Sequence, residues 1–121
     1  MKTALLALGL CILSGVHARA DLSVKQYQAT MRSNNEAAIL NITTYLNGIA
    51  SGIMAATSIA FNKEGVRLYC PPSNLVVNAD NYFDILNRAI KSFVGMPDLE
   101  DAPIALVLMR GLASTFPCPA K

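Results

Sequence analysis

The chain has 121 residues, with 10 lysines and arginines against 8 aspartates and glutamates, for a formal charge of +2. This length allows one domain and excludes two. The first twenty residues have the pattern of a secretory signal peptide: Lys2 is followed by an apolar run over 4–13 and by a small-x-small cleavage site at Ala18-Arg19-Ala20. We therefore expect residues 1–20 to be removed and residues 21–121 to form one exported helical domain.

Charge and histidine content narrow the function of the mature chain. Removal of residues 1–20 takes away Lys2 and Arg19, which leaves 8 basic residues (10 minus 2) against 8 acidic ones. This balance excludes an electrostatic surface for nucleic acid or an anionic membrane. The only histidine, His17, is also removed, which excludes histidine general bases and most zinc sites. We expect no catalytic residue, no metal and no cofactor.

Two helical segments open the mature chain. A weak pattern covers Leu22–Arg32, with inward positions at Leu22, Tyr27 and Met31. The clearest pattern covers Asn35–Phe61, where apolar side chains recur at steps of three and four, as on one face of an α-helix. The apolar positions of this long helix are Ile39, Ile42, Leu46, Ile49, Ile53, Ala56 and Ala60.

The long helix also raises the question of a membrane span, because no charged residue occurs between Ala37 and Phe61. Its opposite face is polar, with Asn41, Thr44, Asn47, Ser51 and Ser58. Lipid disfavours such a stripe, so the sequence favours a buried amphipathic helix and no membrane insertion after signal cleavage. Gly48 and Gly52 then predict that a neighbouring helix can approach closely at that point, and the alternative is that they only soften a long helix.

The second half of the chain predicts an extended segment and two further helices. Pro71 and Pro72 exclude a helix around residues 68–73. A helix is expected over Ala79–Val94, capped by Asn78, and another over Asp101–Ala113, with Pro103 in its first turn. The apolar face of the former is Tyr82, Ile85, Leu86, Ala89 and Phe93. The latter is apolar all round and should be the central, buried helix, so the fold class is an all-α bundle of four to five helices.

Two cysteines remain in the mature chain, Cys70 and Cys118. In an exported protein the expected arrangement is one disulfide between them. The alternative, a reactive thiol, needs a cation or a helix terminus beside it. Cys118 lies between two prolines with no cation beside it, so we predict a structural disulfide.

The carboxylates offer no convincing catalytic or metal site. Asp80 and Asp84 are four residues apart, but Asp84 also lies four residues before Arg88, which is typical of an exposed helix. The acidic residues at 98, 100 and 101 are explained as a helix N-terminus and are too few for calcium. Binding to another protein is therefore a better hypothesis than an enzyme.

Four short motifs in order carry a family resemblance: Tyr45-Leu46-x-Gly48-Ile49, Tyr69-Cys70-Pro71-Pro72, a helix ending between Phe93 and Pro97, and Phe116-Pro117-Cys118. Over residues 35–118 the chain resembles the Rap/Tai family of immunity proteins against type VI secreted amidases. The resemblance implies a periplasmic, all-α and often dimeric protein that plugs the cleft of a peptidoglycan amidase. The alternative is a structural or scaffolding periplasmic domain with no toxin partner.

An occluding binder needs a protruding element, and in a helical bundle the connections between helices supply it. We predict that the toxin-binding residues are Met96, Pro97, Asp98, Leu99, Glu100 and Asp101, which place two apolar side chains among three carboxylates. A competing interpretation makes this segment an ordinary link in which Met96 and Leu99 fold onto the core. The other candidate is the turn at residues 62–65, which is shorter and contains no apolar anchor.

Overall fold

The computed structural model describes residues 21–75 and 77–119, and the expected signal peptide at residues 1–20 lies outside them. The described residues form four α-helices and no strand: α1 (Val24–Arg32), α2 (Glu36–Glu64), α3 (Ala79–Ser92) and α4 (Ile104–Thr115), with a 3₁₀ helix at Leu99–Asp101 before α4. The predicted all-α bundle is thereby confirmed. Helices α3 and α4 form its most extensive contact, and α1 and α2 pack around this pair.

Local sequence explains where each helix begins and ends. Ser23 forms a capping box at the start of α1, and Asn78 forms one at the start of α3. At the start of α2, the Asn35 side chain accepts a hydrogen bond from the Ala38 amide. Gly65 ends α2 in a left-handed conformation, with φ of 67°. These caps satisfy main-chain donors that the helices themselves leave free, so three of the four helix starts are defined by side chains visible in the sequence.

The core lies where the N-terminal half of α2 meets the other three helices. Its fully buried side chains are Val24, Tyr27, Leu46, Leu86, Ile104, Leu108 and Leu112. Val24 was not among the inward positions expected for α1, and the structure places it in the core because its main-chain amide is also tied to the carbonyl of Ala102. Of the predicted inward positions on α2 and α3, those buried in the core are Ile42, Leu46, Ile85, Leu86 and Ala89. Two buried residues of these helices, Ala50 and Ile90, were not predicted.

Two expectations about the long helix are wrong. Only 17% of the most apolar 18-residue stretch of α2 is buried, so α2 is not a buried helix along its whole length, although by length and composition alone it is able to cross a membrane. Ala56, expected on the inward face, is exposed. Apart from the adjacent residues and the backbone of α2 itself, no described atom lies within 4 Å of the position that a Cβ would take at Gly48 or Gly52, so none of the other described helices approaches there. The reason is length: α2 has 29 residues and spans about 43 Å, whereas α3 has 14 and spans about 21 Å.

The final helix also differs from expectation. It begins at Ile104 rather than Asp101, because Pro103 keeps Ala102 extended, with ψ of 137°. Pro103 is therefore the residue that caps α4 and not a member of its first turn. One side of the helix faces solvent at Leu106, so α4 is not buried on all sides.

A disulfide joins Cys70 to Cys118, as predicted, with 4.9 Å between their Cα atoms. The Cys70 amide also donates to the Phe116 carbonyl over 2.8 Å. Together these bonds attach the connection between α2 and α3 to the segment that follows α4. Tyr69 of the same connection also packs against the core.

Candidate protein-binding surface

The connection between α3 and α4, residues 93–103, is tied to the bundle at its C-terminal end. The Val24 amide donates to the Ala102 carbonyl over 3.0 Å, and the Ile104 amide donates to the Leu22 carbonyl over 2.9 Å. These two bonds pair the end of the connection with the start of α1 as a single antiparallel bridge. The connection is therefore held by α3 and α4 at its two ends and by the start of α1. These attachments limit the conformational freedom that the connection would lose on binding a partner.

Two residues with positive φ shape the tip of this connection. Gly95 has φ of 93° and Asp98 has φ of 61°, with Pro97 between them. The left-handed region is open to glycine and is tolerated by aspartate better than by most other residues. The Asp98 carbonyl then accepts the Asp101 amide over 3.2 Å, which begins the short 3₁₀ helix. The result is a tight, ordered turn.

The six predicted contact residues do not all face solvent. Five of them are exposed: Met96, Pro97, Asp98, Glu100 and Asp101. Leu99 is half-buried and packs against the core. The 3₁₀ helix explains this division, because its first residue turns back toward the bundle while the carboxylates on either side remain outside. For Leu99, then, the structure agrees with the interpretation in which it folds onto the core, and for Met96 it does not.

The structure adds apolar residues that the sequence analysis did not place at this surface. Val94 is 75% exposed and Leu106 is 42% exposed, beside Met96 at 45%. A hollow of about 360 Å³ lies between Met96 and Leu106, with Arg110 at its edge. Val94 had been assigned to the end of the preceding helix; that helix stops at Ser92, which frees Val94 to point outward. The sequence feature that could have indicated this earlier helix end was Gly95, because glycine commonly follows the last turn of a helix.

The competing turn at residues 62–65 is also exposed, and apolar side chains lie directly beside it. Phe61 and Val66 are 43% and 48% exposed, and the guanidinium carbon of Arg67 lies 4.0 Å from the centre of the Phe61 ring. A hollow of about 560 Å³ next to the disulfide is lined by this group. The expectation that this turn has no apolar anchor is therefore wrong for its flanks.

The side chains with shifted pKa values are three tyrosines that pack in the core or against it. Burial raises the pKa of Tyr27 above its ordinary value of 10.0. Its hydroxyl donates a hydrogen bond to Asn87 Oδ1 over 2.9 Å. Burial likewise raises the pKa values of Tyr69 and Tyr82. Within residues 21–75 and 77–119, no group of three or more histidine, cysteine or carboxylate side chains is arranged to hold a metal ion. The described surface offers shape and apolar contact to a partner.

Compared with protein-family models, with curated proteins and with solved structures, the chain matches none of them. The resemblance to the Rap/Tai immunity proteins therefore depends on the four motifs named above and on their order.

Proposed function

We propose that this protein is a periplasmic immunity protein, not an enzyme, that binds a type VI secreted peptidoglycan amidase and occludes its active-site cleft. The observation that carries the proposal is the connection between α3 and α4. It is an ordered turn with exposed Met96 at its tip and three carboxylates around it, held at its end by main-chain bonds to α1. The order of the four family motifs supports the same function.

The physical basis of inhibition is steric. A protruding apolar side chain on an ordered turn can enter a cleft at little cost in conformational entropy, and such anchors carry most of the energy of protein interfaces. Met96 is the side chain that fits this role, and Asp98 and Glu100 supply hydrogen-bond acceptors at the rim. Leu99 supports the turn from beneath, since it packs against the core.

The direct test is titration of the cognate amidase with the parent protein and its variants. We expect Met96→Ala to weaken inhibition about tenfold, as loss of an interface anchor does. An Asp98→Asn, Glu100→Gln double variant should weaken it less. Leu75→Ala removes an equally exposed side chain from a different connection and is the matched control. Full inhibition by Met96→Ala, combined with loss of inhibition on changes at Lys63 or Glu64, would transfer the site to the turn after α2.

Two further observations separate this proposal from a scaffolding domain with no toxin partner. An immunity protein should be encoded beside a small amidase, whereas an isolated gene would favour the scaffold. Export predicts that the mature protein begins at Asp21 and is recovered in osmotic-shock fluid. Recovery in the membrane fraction alone would instead favour a membrane role for α2.

A further inference from the structure

Residues 22–24, which we call the strap, lead into α1 and run beside the end of the connection between α3 and α4. The Val24 amide donates to the Ala102 carbonyl over 3.0 Å, and the Ile104 amide donates to the Leu22 carbonyl over 2.9 Å. Val24 and Ile104 are the first residues of α1 and α4, so their own helices offer these two amides no acceptor. The pairing between the strap and the connection supplies the acceptors instead.

One side chain of α2 attaches the start of the strap to the bundle. The Leu22 amide donates to the Tyr45 hydroxyl over 3.3 Å, and both of these side chains are half-buried against the core. The ring of Tyr45 therefore packs in the bundle while its hydroxyl holds the strap. Tyr45 is also the first residue of the motif Tyr45-Leu46-x-Gly48-Ile49, and the inhibitory contact proposed above gives it no role.

Main-chain hydrogen bonds continue from the strap into the connection. The Ala102 amide donates to the Leu99 carbonyl over 3.1 Å, and the Asp101 amide donates to the Asp98 carbonyl over 3.2 Å. Each of these bonds closes a turn of only four residues, so the backbone from Asp98 to Ala102 is held as one short unit. Met96 lies two residues before this unit. The place at which the strap holds Ala102 therefore also limits where Met96 lies.

We propose that Tyr45 is a positioning residue for the candidate binding surface: its hydroxyl holds the strap, and the strap holds the connection in the conformation that exposes Met96. The effect on inhibition rests on the proposed function, whereas the effect on the connection does not. This role is separable from core packing, because phenylalanine at position 45 keeps the ring and loses only the hydroxyl. Tyr45 acts through the strap and needs no contact with the partner.

The first test is amide hydrogen exchange of the mature protein, followed residue by residue by NMR without any partner. In the parent protein the Val24 and Ile104 amides should be protected. Tyr45→Phe should accelerate their exchange, and that of the Asp101 amide, about fivefold, the factor expected for the loss of one ordinary hydrogen bond.

Tyr82→Phe is the matched control, because it removes the hydroxyl of another tyrosine that is half-buried against the core, on α3. It should leave the exchange of the Val24 and Ile104 amides unchanged, since these open locally with the strap. Equal acceleration in the two variants would mean that these amides open only when the whole protein unfolds, and it would overturn the proposal.

The second test is titration of the amidase encoded beside the gene. Tyr45→Phe should weaken inhibition about threefold, and Tyr82→Phe should inhibit as the parent does. On the Met96→Ala background, Tyr45→Phe should have almost no further effect, because the side chain that it positions is already absent. A loss of inhibition through lower stability alone would be the same on both backgrounds.

Unchanged exchange at Val24 and Ile104 in Tyr45→Phe would overturn the proposal, as would inhibition that does not change or that falls equally with and without Met96. Free exchange of both amides in the parent protein would overturn it by itself, even if Tyr45→Phe did not fold. A parent protein that inhibits no amidase would refute the proposed function instead. The exchange rates would then decide alone whether Tyr45 positions the connection.

Discussion

Gly111 tests the packing of the bundle most sharply, because two physical effects of one substitution oppose each other there. It lies inside α4, where alanine is favoured over glycine by about 1 kcal/mol. It is also buried against α3. A Cβ atom at Gly111 would lie 2.9 Å from Ile85 Cγ2, 3.0 Å from Ala89 Cβ and 3.2 Å from the Ile85 carbonyl oxygen. The first distance is shorter than real Cβ contacts and the other two are tighter than most of them, so the packing of α3 on α4 would have to shift.

We expect the steric cost to exceed the gain in helix propensity. Overpacking a dense core costs about 1–3 kcal/mol, so Gly111→Ala should lower the free energy of unfolding by about 1 kcal/mol net. Gly52→Ala is the matched control: it lies inside α2, where nothing comes within 4 Å, and should raise the free energy of unfolding by up to about 1 kcal/mol. The same glycine-to-alanine substitution is thus expected to lower the free energy of unfolding at one helical position and to raise it at the other.

The assay is urea unfolding followed by circular dichroism, with the disulfide intact, supported by thermal melts. A change of 1 kcal/mol corresponds to about 4–8 °C in a domain of this size. On the Ile85→Ala background, which removes the nearest methyl group, Gly111→Ala should cost less than it does in the parent. If Gly111→Ala stabilises the protein as Gly52→Ala does, the close packing of α3 on α4 is refuted.

Three other predictions concern single interactions. Replacing Cys70 by alanine opens a 48-residue loop and should lower the free energy of unfolding by about 4 kcal/mol. By mass spectrometry, the oxidised protein should be about 2 Da lighter than the reduced protein, and the peptide containing Cys70 should be linked to the one containing Cys118. Because burial raises the pKa of Tyr27, its contribution to stability should be complete below pH 10 and be lost as the pH rises through the folded-state pKa. Tyr27→Phe should therefore make the fall in stability above pH 10 shallower, while it loses the bond to Asn87. Asn78→Ala removes a capping box and should cost about 1 kcal/mol in the same unfolding assay, whereas an unchanged midpoint would show that α3 does not depend on its cap.

The features predicted correctly from the sequence are those determined by neighbouring residues. Asn78 was predicted to cap α3 through a local hydrogen bond, and the structure confirms it. The disulfide followed from the two cysteines left after the expected signal cleavage, in a chain predicted to be exported, without any knowledge of the fold. The close contact at Gly111 was not predicted, because it depends on which helix lies opposite, and nothing within α4 specifies that.

The burial of α2 was predicted wrongly for a related reason. An apolar stripe shows which face of a helix can be buried, but burial also needs enough partner to cover it. The three other helices are each half the length of α2 or less, so the buried stripe of α2 ends at Ala50, and Ile53 beyond it is only partly covered by the core. The opposite face had been interpreted as polar because Asn47 and Ser51 lie on it, although Leu40 and Met54 recur there at heptad spacing.

At the candidate binding surface, the backbone conformation explains why a prediction from composition was only partly correct. Composition alone placed Met96 and Leu99 together as two apolar anchors on one connection. A left-handed Asp98 between them turns the chain into the 3₁₀ helix and sends the two side chains in different directions. This conformation depends on the whole connection between α3 and α4, because the hydrogen bond to Leu22 at the start of α1 fixes where that connection must end. Met96 is therefore the exposed side chain of the two and the one that we propose as the anchor, whereas Leu99 packs against the core.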